Sequence, residues 1–206
     1  INKINPLIII CSTSEVYGKI SKKDIPIKET KNISPVNPYS VSKAFQDLLS
    51  QIYFESYKLK IIITRMFSYM NARKNYLFQT AFAKQIVDIE RGKKKILTHG
   101  NLSSIRNIID ISDAMEAYWL AAKRGRIGEI YNISGEKVIS VGNYLKKLKK
   151  LSNVKIKSKI DKKLLRPVDV TLQIANTKKF IRDTHWSPKI SFEESIEKLL
   201  EECRKS

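Results

Sequence analysis

The fold of this chain is decided by the stretch Leu7-Ile8-Ile9-Ile10-Cys11-Ser12-Thr13-Ser14-Glu15-Val16-Tyr17-Gly18, in which an apolar run changes abruptly to hydroxyl-bearing and acidic residues. Such an uninterrupted apolar run is typical of a strand that is covered on both faces of a parallel sheet. We therefore expect residues 7–11, with Cys11 among them, to lie in the core. The polar residues that follow would then stand at the end of this strand.

A helix and a second strand are predicted next along the chain. Pro38 suits a first helical turn, and the helix would continue to about Tyr57. Residues 60–65 form a second apolar run. A strand–helix–strand unit with short links implies a parallel sheet with a right-handed crossover. The helix residues that we expect to face inward are Ala44, Phe45, Leu48, Leu49 and Ile52.

Tyr39 and Lys43 are four residues apart and would share one face of this helix. Facing the polar strand end, they would form an acid/base group suited to redox chemistry at a carbonyl carbon. A tyrosine with its usual pKa of about 10 exchanges protons poorly at neutral pH. We therefore expect the Lys43 ammonium to lower the pKa of Tyr39. The alternative interpretation is a surface tyrosine beside a solvated lysine.

The composition is typical of a globular protein. The chain has 206 residues, of which 42% are hydrophobic, enough for one large or two small domains. We place a boundary near residue 66, which separates a first unit at 1–65 from a second at 66–206. Two cysteines are too few for a disulfide framework, and no apolar run reaches membrane-spanning length. We therefore expect a cytoplasmic protein without a membrane partner.

Histidines and tryptophans are assigned structural roles. His99 and His185 lie far apart in the sequence, with no Cys or acidic residue at ligand spacing, so no metal site is predicted. Trp119 and Trp186 are expected in the core rather than against a ligand.

The formal net charge of +19 raises the alternative of nucleic-acid binding. Most of the 39 basic residues are lysines spread along the whole chain, and arginines clustered with aromatic residues are missing. We therefore expect no nucleic-acid partner. A strongly basic chain does favour small polyanions such as nucleotide diphosphates.

Segments along nearly the whole chain resemble the extended short-chain dehydrogenase/reductase family, in the order found in that family. They are Ser12-Thr13-Ser14-Glu15-Val16-Tyr17-Gly18, Pro38-Tyr39-Ser40-Val41-Ser42-Lys43, Ile62-Ile63-Thr64-Arg65, Phe82-Ala83-Lys84-Gln85-Ile86, Gly100-Asn101-Leu102, Arg106, Asp110-Ile111-Ser112-Asp113, Ala117-Tyr118-Trp119, Gly128-Glu129-Ile130-Tyr131-Asn132-Ile133, Leu165-Arg166-Pro167-Val168-Asp169-Val170 and Trp186-Ser187-Pro188. Within the family, the chain is most similar to GDP-4-keto-6-deoxymannose reductases and GDP-mannose 4,6-dehydratases. Residues 82–119 resemble the reductases more, whereas Thr13-Ser14-Glu15 resembles the dehydratase triplet.

This resemblance implies an α/β fold. Residues 1–65 would be the C-terminal part of a Rossmann-type parallel sheet with helices, and residues 66–206 mostly a smaller, mixed α/β substrate lobe. The resemblance also implies NADP or NAD as cofactor and a nucleotide-diphosphate sugar as substrate. Members of the family are often homodimers through the helix that carries the Tyr-Lys pair, so we expect a homodimer here.

The resemblance also implies roles for single residues. Tyr39 would donate a proton to the C4 oxygen of the sugar, and Thr13 would orient that carbonyl. Lys43 would bond the nicotinamide ribose, with Ser12 and Tyr39 also at the cofactor. Glu15 would be the C5 base of a dehydratase. The residues expected to contact the substrate are Ser14, Arg106 and Arg166.

Three departures from the family pattern leave other functions open. No glycine-rich phosphate turn precedes the first strand, Phe67-Ser68-Tyr69-Met70-Asn71-Ala72 replaces Phe-Asn-His-x-Gly-Pro, and Asn107 replaces an Asp. Reduction of a GDP-4-keto-6-deoxy-hexose is the leading hypothesis. The alternatives are dehydration of GDP-mannose, and an inactive fragment or non-catalytic homologue that lacks the cofactor-binding half.

Overall fold

The computed structural model describes residues 4–165 and 168–205. Its strands are β1 (Leu7–Thr13), β2 (Lys60–Met66), β3 (Ser68–Met70), β4 (Leu97–His99), β5 (Ile105–Asp110), β6 (Ile130–Ile133), β7 (Lys137–Ser140), β8 (Ser158–Ile160) and β9 (Leu172–Gln173). Its α-helices are α1 (Pro38–Tyr57), α2 (Phe78–Glu90), α3 (Ile111–Arg124), α4 (Val141–Lys150), α5 (Lys178–Thr184) and α6 (Phe192–Lys205). Short 3-10 helices cover Ser14–Tyr17, Lys22–Asp24 and Lys162–Leu164. Among the described residues, none of the helices is both long enough and apolar enough to cross a membrane.

The predicted parallel sheet is formed by β1, β2 and β6. β1 pairs with β2, with Leu7 opposite Lys60 and Thr13 opposite Met66, and β6 pairs with β2 in the same direction. α1 connects β1 to β2 and packs against both. Side chains alternate along a strand, and Ile9 and Ile62 belong to the apolar cluster that α3 completes. A parallel sheet with helices packed on it confirms the predicted α/β class.

A second, mixed sheet is centred on β5. β3 and β9 pair with β5 in parallel and β7 pairs with it antiparallel, while β4 and β8 form a separate parallel pair. α2, α4 and α6 pack together over an apolar cluster that includes Phe82, Leu148 and Leu199. These elements are the mixed α/β lobe that the sequence predicts.

The expectation that β1 is covered on both faces is wrong for the described chain. Leu7 and Cys11 are exposed and residues 8–10 are half-buried, whereas residues 61–63 of β2 are buried. The reason lies in the topology, because within residues 4–165 and 168–205 β1 pairs with β2 alone. Within the described residues, β1 therefore has a strand neighbour on one side only.

The predicted inward face of α1 is also corrected by the structure. Ala44 is buried, but Phe45, Leu48, Leu49 and Ile52 are exposed. The buried side of this helix consists otherwise of polar residues, which are Ser40, Asp47 and Ser50. The sequence prediction placed the apolar side of α1 against the sheet. In the structure the side of α1 that packs on the sheet is mostly polar.

The two tryptophans differ in environment. Trp186 is buried, as predicted, but Trp119 is 66% exposed. On α3, Ala117 and Ala121 face the sheet, and Trp119 lies between them in sequence. Residues two apart on a helix do not share a face, so the alanines that pack against the sheet turn Trp119 outward.

The elements of the first sheet do not all come from the first part of the chain. β6 pairs with β2 and α3 packs against the same sheet, although both follow residue 66. The division at residue 66 stays a prediction, since the sheet that carries the polar strand end also contains residues from beyond it.

Candidate active site

Thr13, Glu15 and Tyr39 come together at the carboxyl end of β1. Thr13 is the last residue of β1, Glu15 lies in the 3-10 helix that follows, and Tyr39 is in the first turn of α1. Thr13 Oγ1 accepts a hydrogen bond from the backbone N–H of Glu15 at 3.3 Å, and Thr13 and Glu15 both influence the pKa of Tyr39. The structure thus groups three of the residues that the sequence singled out.

Asn37 holds Glu15 against the start of α1. Its Nδ2 donates to Glu15 Oε2 at 2.9 Å, and its Oδ1 accepts from the N–H of Ser40 at 2.8 Å. The hydroxyl of Ser40 in turn accepts from the N–H of Asn37 at 3.1 Å, which completes a capping box. A single side chain therefore fixes the Glu15 carboxylate beside the helical turn that carries Tyr39.

The phenol of Tyr39 is half exposed and keeps its proton at neutral pH. Burial raises the pKa of Tyr39 above its usual value and the charge of Glu15 raises it further, whereas the hydrogen bond with Thr13 and the charge of Lys74 lower it. The net shift is upward, and the lowering predicted for Lys43 stays a prediction. The lysine whose charge acts against this shift is Lys74.

Lys43 lies one helical turn after Tyr39 and binds the strand end. Its Nζ donates to the carbonyl oxygen of Cys11 at 2.9 Å and to Gln46 Oε1 at 3.1 Å. The ammonium is therefore positioned beside β1, two residues before Thr13. These contacts use two of the three N–H donors of a lysine ammonium.

Ser12 and Ser14 are both buried. The hydroxyl of Ser12 donates to Asp47 Oδ2 at 2.8 Å, so this side chain takes part in a buried polar network and is not grouped with Tyr39. Ser14 begins the 3-10 helix after β1. Their roles toward a cofactor or a substrate stay predictions.

The buried network behind the site is a feature that the sequence did not reveal. Arg65 donates to Asp47 through Nε at 2.8 Å and through Nη2 at 2.9 Å, and through Nη1 to the Tyr17 hydroxyl at 3.0 Å. The Tyr17 hydroxyl donates to Asn132 Oδ1 at 2.7 Å. Burial raises the pKa of Tyr17 to about 12 despite the nearby guanidinium. The network joins β2, α1 and β6 to the turn that holds Glu15.

Of the two arginines predicted at the substrate, only Arg106 lies within the described residues. Arg106 donates to the carbonyl oxygens of Ile105, at 3.0 Å, and of Val170. Arg166 lies outside the described residues. Both roles stay predictions.

Asn107, which departs from the family pattern, has a structural role. Its Nδ2 donates to the carbonyl oxygen of Gly135 at 2.9 Å, and its Oδ1 accepts from the N–H of Ala175 at 2.8 Å. A carboxylate could accept the second bond but could not donate the first. The amide therefore links β5 to two other segments.

Tyr69 and Lys74 are site residues that sequence reasoning missed. The Nζ of Lys74 donates to the Tyr69 hydroxyl and lies 4.6 Å from the centroid of the Tyr69 ring, and both residues act electrostatically on Tyr39. They lie in or just after the segment that departs from the family pattern at residues 67–72. The departure of residues 67–72 from the family pattern was the feature of the sequence that could have pointed to Tyr69 and Lys74. No set of three or more His, Cys, Asp or Glu side chains suited to a metal ion occurs in the described ranges.

Residues 2–199 match the family model for GDP-mannose 4,6 dehydratase. The chain belongs to this family. Two relatives illustrate its range. The human dTDP-D-glucose 4,6-dehydratase is 30% identical over 203 residues, which make up 96% of this chain and 56% of the human protein. The GDP-6-deoxy-D-mannose reductase of Pseudomonas aeruginosa is 22% identical over 191 residues, 92% of this chain and 63% of that protein.

The fold of this dehydratase-family chain is shared with solved structures. RMD from Pseudomonas aeruginosa, complexed with NADPH, matches with a TM-score of 0.91 and 21% sequence identity, over 98% of this chain and 68% of that chain. The likeness confirms the Rossmann-type architecture. The chain spans little more than half the length of the human relative.

Proposed function

We propose that this chain carries the proton-transfer residues of a nucleotide-sugar 4,6-dehydratase. The observation that supports the proposal is the grouping of Thr13, Glu15 and Tyr39 at one strand end. Dehydration requires a group that exchanges a proton at the C4 oxygen and a second group that removes the proton at C5. A phenol and a carboxylate held side by side provide both. Membership in the family and the activities of the relatives support a sugar bound to a nucleoside diphosphate as the substrate class.

In this proposal Tyr39 acts at the C4 oxygen. Oxidation at C4 removes a proton from the hydroxyl and a hydride from the carbon, and reduction reverses both. Thr13 lies close enough to Tyr39 to influence its pKa, so a second hydroxyl is available to bond the same sugar oxygen. Two groups on one oxygen fix its orientation, which is a positioning effect.

Lys43 is suited to hold a nicotinamide cofactor beside Tyr39. Enzymes of this family use NAD or NADP, which supplies hydride transfer. The contacts of Lys43 with Cys11 and Gln46 leave one N–H donor of its ammonium for a ribose hydroxyl. The same contacts keep the ammonium at the strand end that carries Thr13.

Glu15 is the residue that favours dehydration over simple reduction. With the carbonyl at C4, the hydrogen at C5 becomes acidic, and a carboxylate can remove it as hydroxide leaves C6 with a proton. Returning the hydride to C6 and the proton to C5 completes the reaction, so the nicotinamide is unchanged overall and one water is released. The hydrogen bond from Asn37 aims the Glu15 carboxylate into the group.

Reduction of a GDP-4-keto-6-deoxy-hexose is the second candidate. It is favoured by the similarity of residues 82–119 to the reductases. In this reaction Tyr39 would donate its proton to the C4 oxygen, and its upward-shifted pKa means that the proton is present at neutral pH. Glu15 would then serve only to position other groups.

The two candidate reactions differ in whether the reduced nicotinamide cofactor is consumed. The full-length protein is incubated with GDP-mannose and NAD or NADP, and in parallel with GDP-4-keto-6-deoxymannose and NADPH or NADH. We expect GDP-mannose to be converted to the 4-keto-6-deoxy sugar with no net change in absorbance at 340 nm. Steady loss of NADPH or NADH absorbance with the keto sugar would instead support the reductase. A folded protein that consumes neither of these substrates, nor dTDP-glucose in a third incubation, would refute both candidates.

The role of Glu15 is tested by Glu15→Gln with Glu55→Gln as its control. Glu55 is an exposed carboxylate on α1, so its substitution should leave turnover unchanged. We expect Glu15→Gln to lower dehydration by about 100-fold or more. Dehydration at the wild-type rate in Glu15→Gln would exclude Glu15 as the base.

A further inference from the structure

Asn37 uses both ends of its side-chain amide. Its Oδ1 accepts from the N–H of Ser40 at 2.8 Å, and its Nδ2 donates to Glu15 Oε2 at 2.9 Å. A backbone N–H can only donate, so the amide atom that faces Ser40 must be the oxygen, and the atom that faces Glu15 must be the nitrogen. The orientation of the amide is therefore fixed by its own contacts.

The backbone brings Asn37 and Glu15 together. The N–H of Ser34 donates to the carbonyl oxygen of Val16 at 2.8 Å. Gly18, at the end of the same turn, has a φ of +66°, and a Cβ there would lie 1.8 Å from the carbonyl oxygen of Ser34. Only a glycine permits this approach. The turn that carries Glu15 therefore packs directly on the segment that leads to Asn37.

The first turn of α1 is fixed by the same residue. The hydroxyl of Ser40 accepts from the N–H groups of Val36 and Asn37, each at 3.1 Å, and donates to the carbonyl oxygen of Asn37 at 2.9 Å. Ser40 is fully buried. Tyr39 lies between Asn37 and Ser40 in the sequence, so the turn that carries the phenol and the side chain that holds Glu15 form one unit.

The two oxygens of the Glu15 carboxylate have different environments. Oε2 accepts the amide hydrogen of Asn37, whereas Oε1 has no hydrogen-bond partner within residues 4–165 and 168–205. An oxygen that already accepts a hydrogen bond is the less favourable of the two to carry a proton, since a carboxyl O–H is a donor. A proton taken up by Glu15 is therefore favoured on Oε1.

We propose that Asn37 is a positioning residue for Glu15, and that it makes Oε1 the oxygen that takes the proton from C5 of the sugar. Its part in the reaction rests on the proposed function, in which Glu15 is the base. The carboxylate cannot rotate away from the first turn of α1 without breaking the bond between Oε2 and Asn37. The side chain that caps the helix thus also couples the base to Tyr39.

Asn37→Ser and Asn37→Asp separate this role from helix capping. Serine and aspartate are both good N-cap residues, so both variants should keep α1 and the wild-type circular dichroism. A serine hydroxyl is too short to reach Glu15, and an aspartate carboxylate cannot donate to Glu15 and repels it. The control is Asn143→Ser, at an exposed position in the first turn of α4, which should change nothing.

Crystal structures of the full-length variants provide a readout that needs no turnover. We expect the Glu15 carboxylate to leave its wild-type position in Asn37→Ser and in Asn37→Asp, while Tyr39 and the first turn of α1 stay in place. A Glu15 carboxylate that keeps the wild-type position in both variants would overturn the inference. Loss of fold in both would also overturn it, because two good capping residues should be tolerated at this position.

Kinetics test whether Asn37 acts through Glu15. In an active protein we expect Asn37→Ser to lower kcat for dehydration by about 10-fold with little change in KM. The isotope effect for a substrate deuterated at C5 should rise, because removal of that proton becomes slower. In a Glu15→Gln background the same substitution should have no further effect. A loss of equal size in that background would contradict action through Glu15.

The outcomes separate this inference from the proposed function. A protein that dehydrates no sugar nucleotide, but whose Glu15 carboxylate moves in both variants, refutes the function and retains Asn37 as the residue that positions Glu15. Dehydration at the wild-type kcat in Asn37→Ser retains the function and overturns the inference.

Discussion

Arg65 carries a buried charge whose partners hold the candidate site together. Its side chain is 2% exposed and that of Asp47 is fully buried, and the two are joined by paired hydrogen bonds. The guanidinium carbon also lies 5.0 Å from the centroid of the Tyr17 ring. Removing one partner of such a pair leaves the other charge buried without compensation.

Arg65→Met is expected to destabilise the protein by about 3–5 kcal/mol. The loss arises from the uncompensated carboxylate of Asp47 and from the lost bond to the Tyr17 hydroxyl. The free energy of unfolding is measured by urea denaturation followed by circular dichroism. The control is Lys147→Met, which breaks an ion pair between the exposed side chains of Lys147 and Glu193 and should cost less than about 1 kcal/mol. Equal losses in both variants would contradict the structural role of Arg65.

Single residues of the site differ in how far the sequence predicted them. Thr13 and Glu15 were predictable because they lie within two residues of a recognisable strand end, and Tyr39 because it follows a helix-starting proline. Lys74 and Tyr69 were not, since neither carries a local pattern. Tyr69 is placed by the pairing of β3 with β5, which is a contact between residues about 40 apart.

At the scale of elements, α2 and α6 are joined at their ends by Glu90 and Arg204. Arg204 donates to Glu90 through Nε at 2.9 Å and through Nη2 at 2.7 Å. Glu90 also accepts from the Ser152 hydroxyl and the Asn153 N–H, each at 3.0 Å. The pKa of Glu90 is lowered to about 2, and the hydrogen bonds from Arg204 are the largest cause.

The Glu90 contacts predict a loss of stability in acid. A carboxyl whose folded pKa lies below its usual 4.5 stabilises the fold fully above that value, and the stabilisation is lost as the pH falls toward 2. We expect Glu90→Gln to reduce the drop in unfolding free energy between pH 6 and pH 2.5. Glu197→Gln, at an exposed position on α6, should leave the drop unchanged. A drop of the same size in the wild type and in Glu90→Gln would contradict the assignment.

The outer face of α1 is a second feature at this scale. Phe45, Leu48, Leu49 and Ile52 are exposed at helical spacing, and a contiguous exposed apolar surface indicates an interaction site. The homodimer expected from the family resemblance would use this helix. Leu48 and Ile52, which are exposed on this helix, are available for contact with a second copy.

Leu48→Glu and Ile52→Glu are expected to weaken self-association of the full-length protein, because each would bury a charge between the two helices. Sedimentation velocity at several concentrations measures the effect. Met115→Glu, at an exposed position on α3, is the control and should leave the association unchanged. A wild-type protein that remains monomeric at high micromolar concentration would refute the homodimer.

At the scale of the whole molecule, the net charge of +19 creates a positive field that attracts anionic ligands. We expect the Kd for GDP to rise by roughly 3–10-fold between 50 and 500 mM salt, because salt screens this field. Isothermal titration calorimetry measures the change. Guanosine, which carries no phosphate, should bind with a Kd that is insensitive to salt. Identical salt dependence for both ligands would contradict an electrostatic contribution to binding.

The α/β class, the positions of β1, α1 and β2, and the approach of Tyr39 to the polar strand end were determined by the sequence, because strand runs, helix starts and short loops are local patterns. The tertiary structure decided the rest. It left β1 with a single neighbour among the described residues, exposed apolar residues of α1, buried Arg65 against Asp47 and joined Lys74 to Tyr69. Each of these depends on which distant segments pack together, and that packing is governed by the summed free energy of many contacts and not by any one stretch of residues.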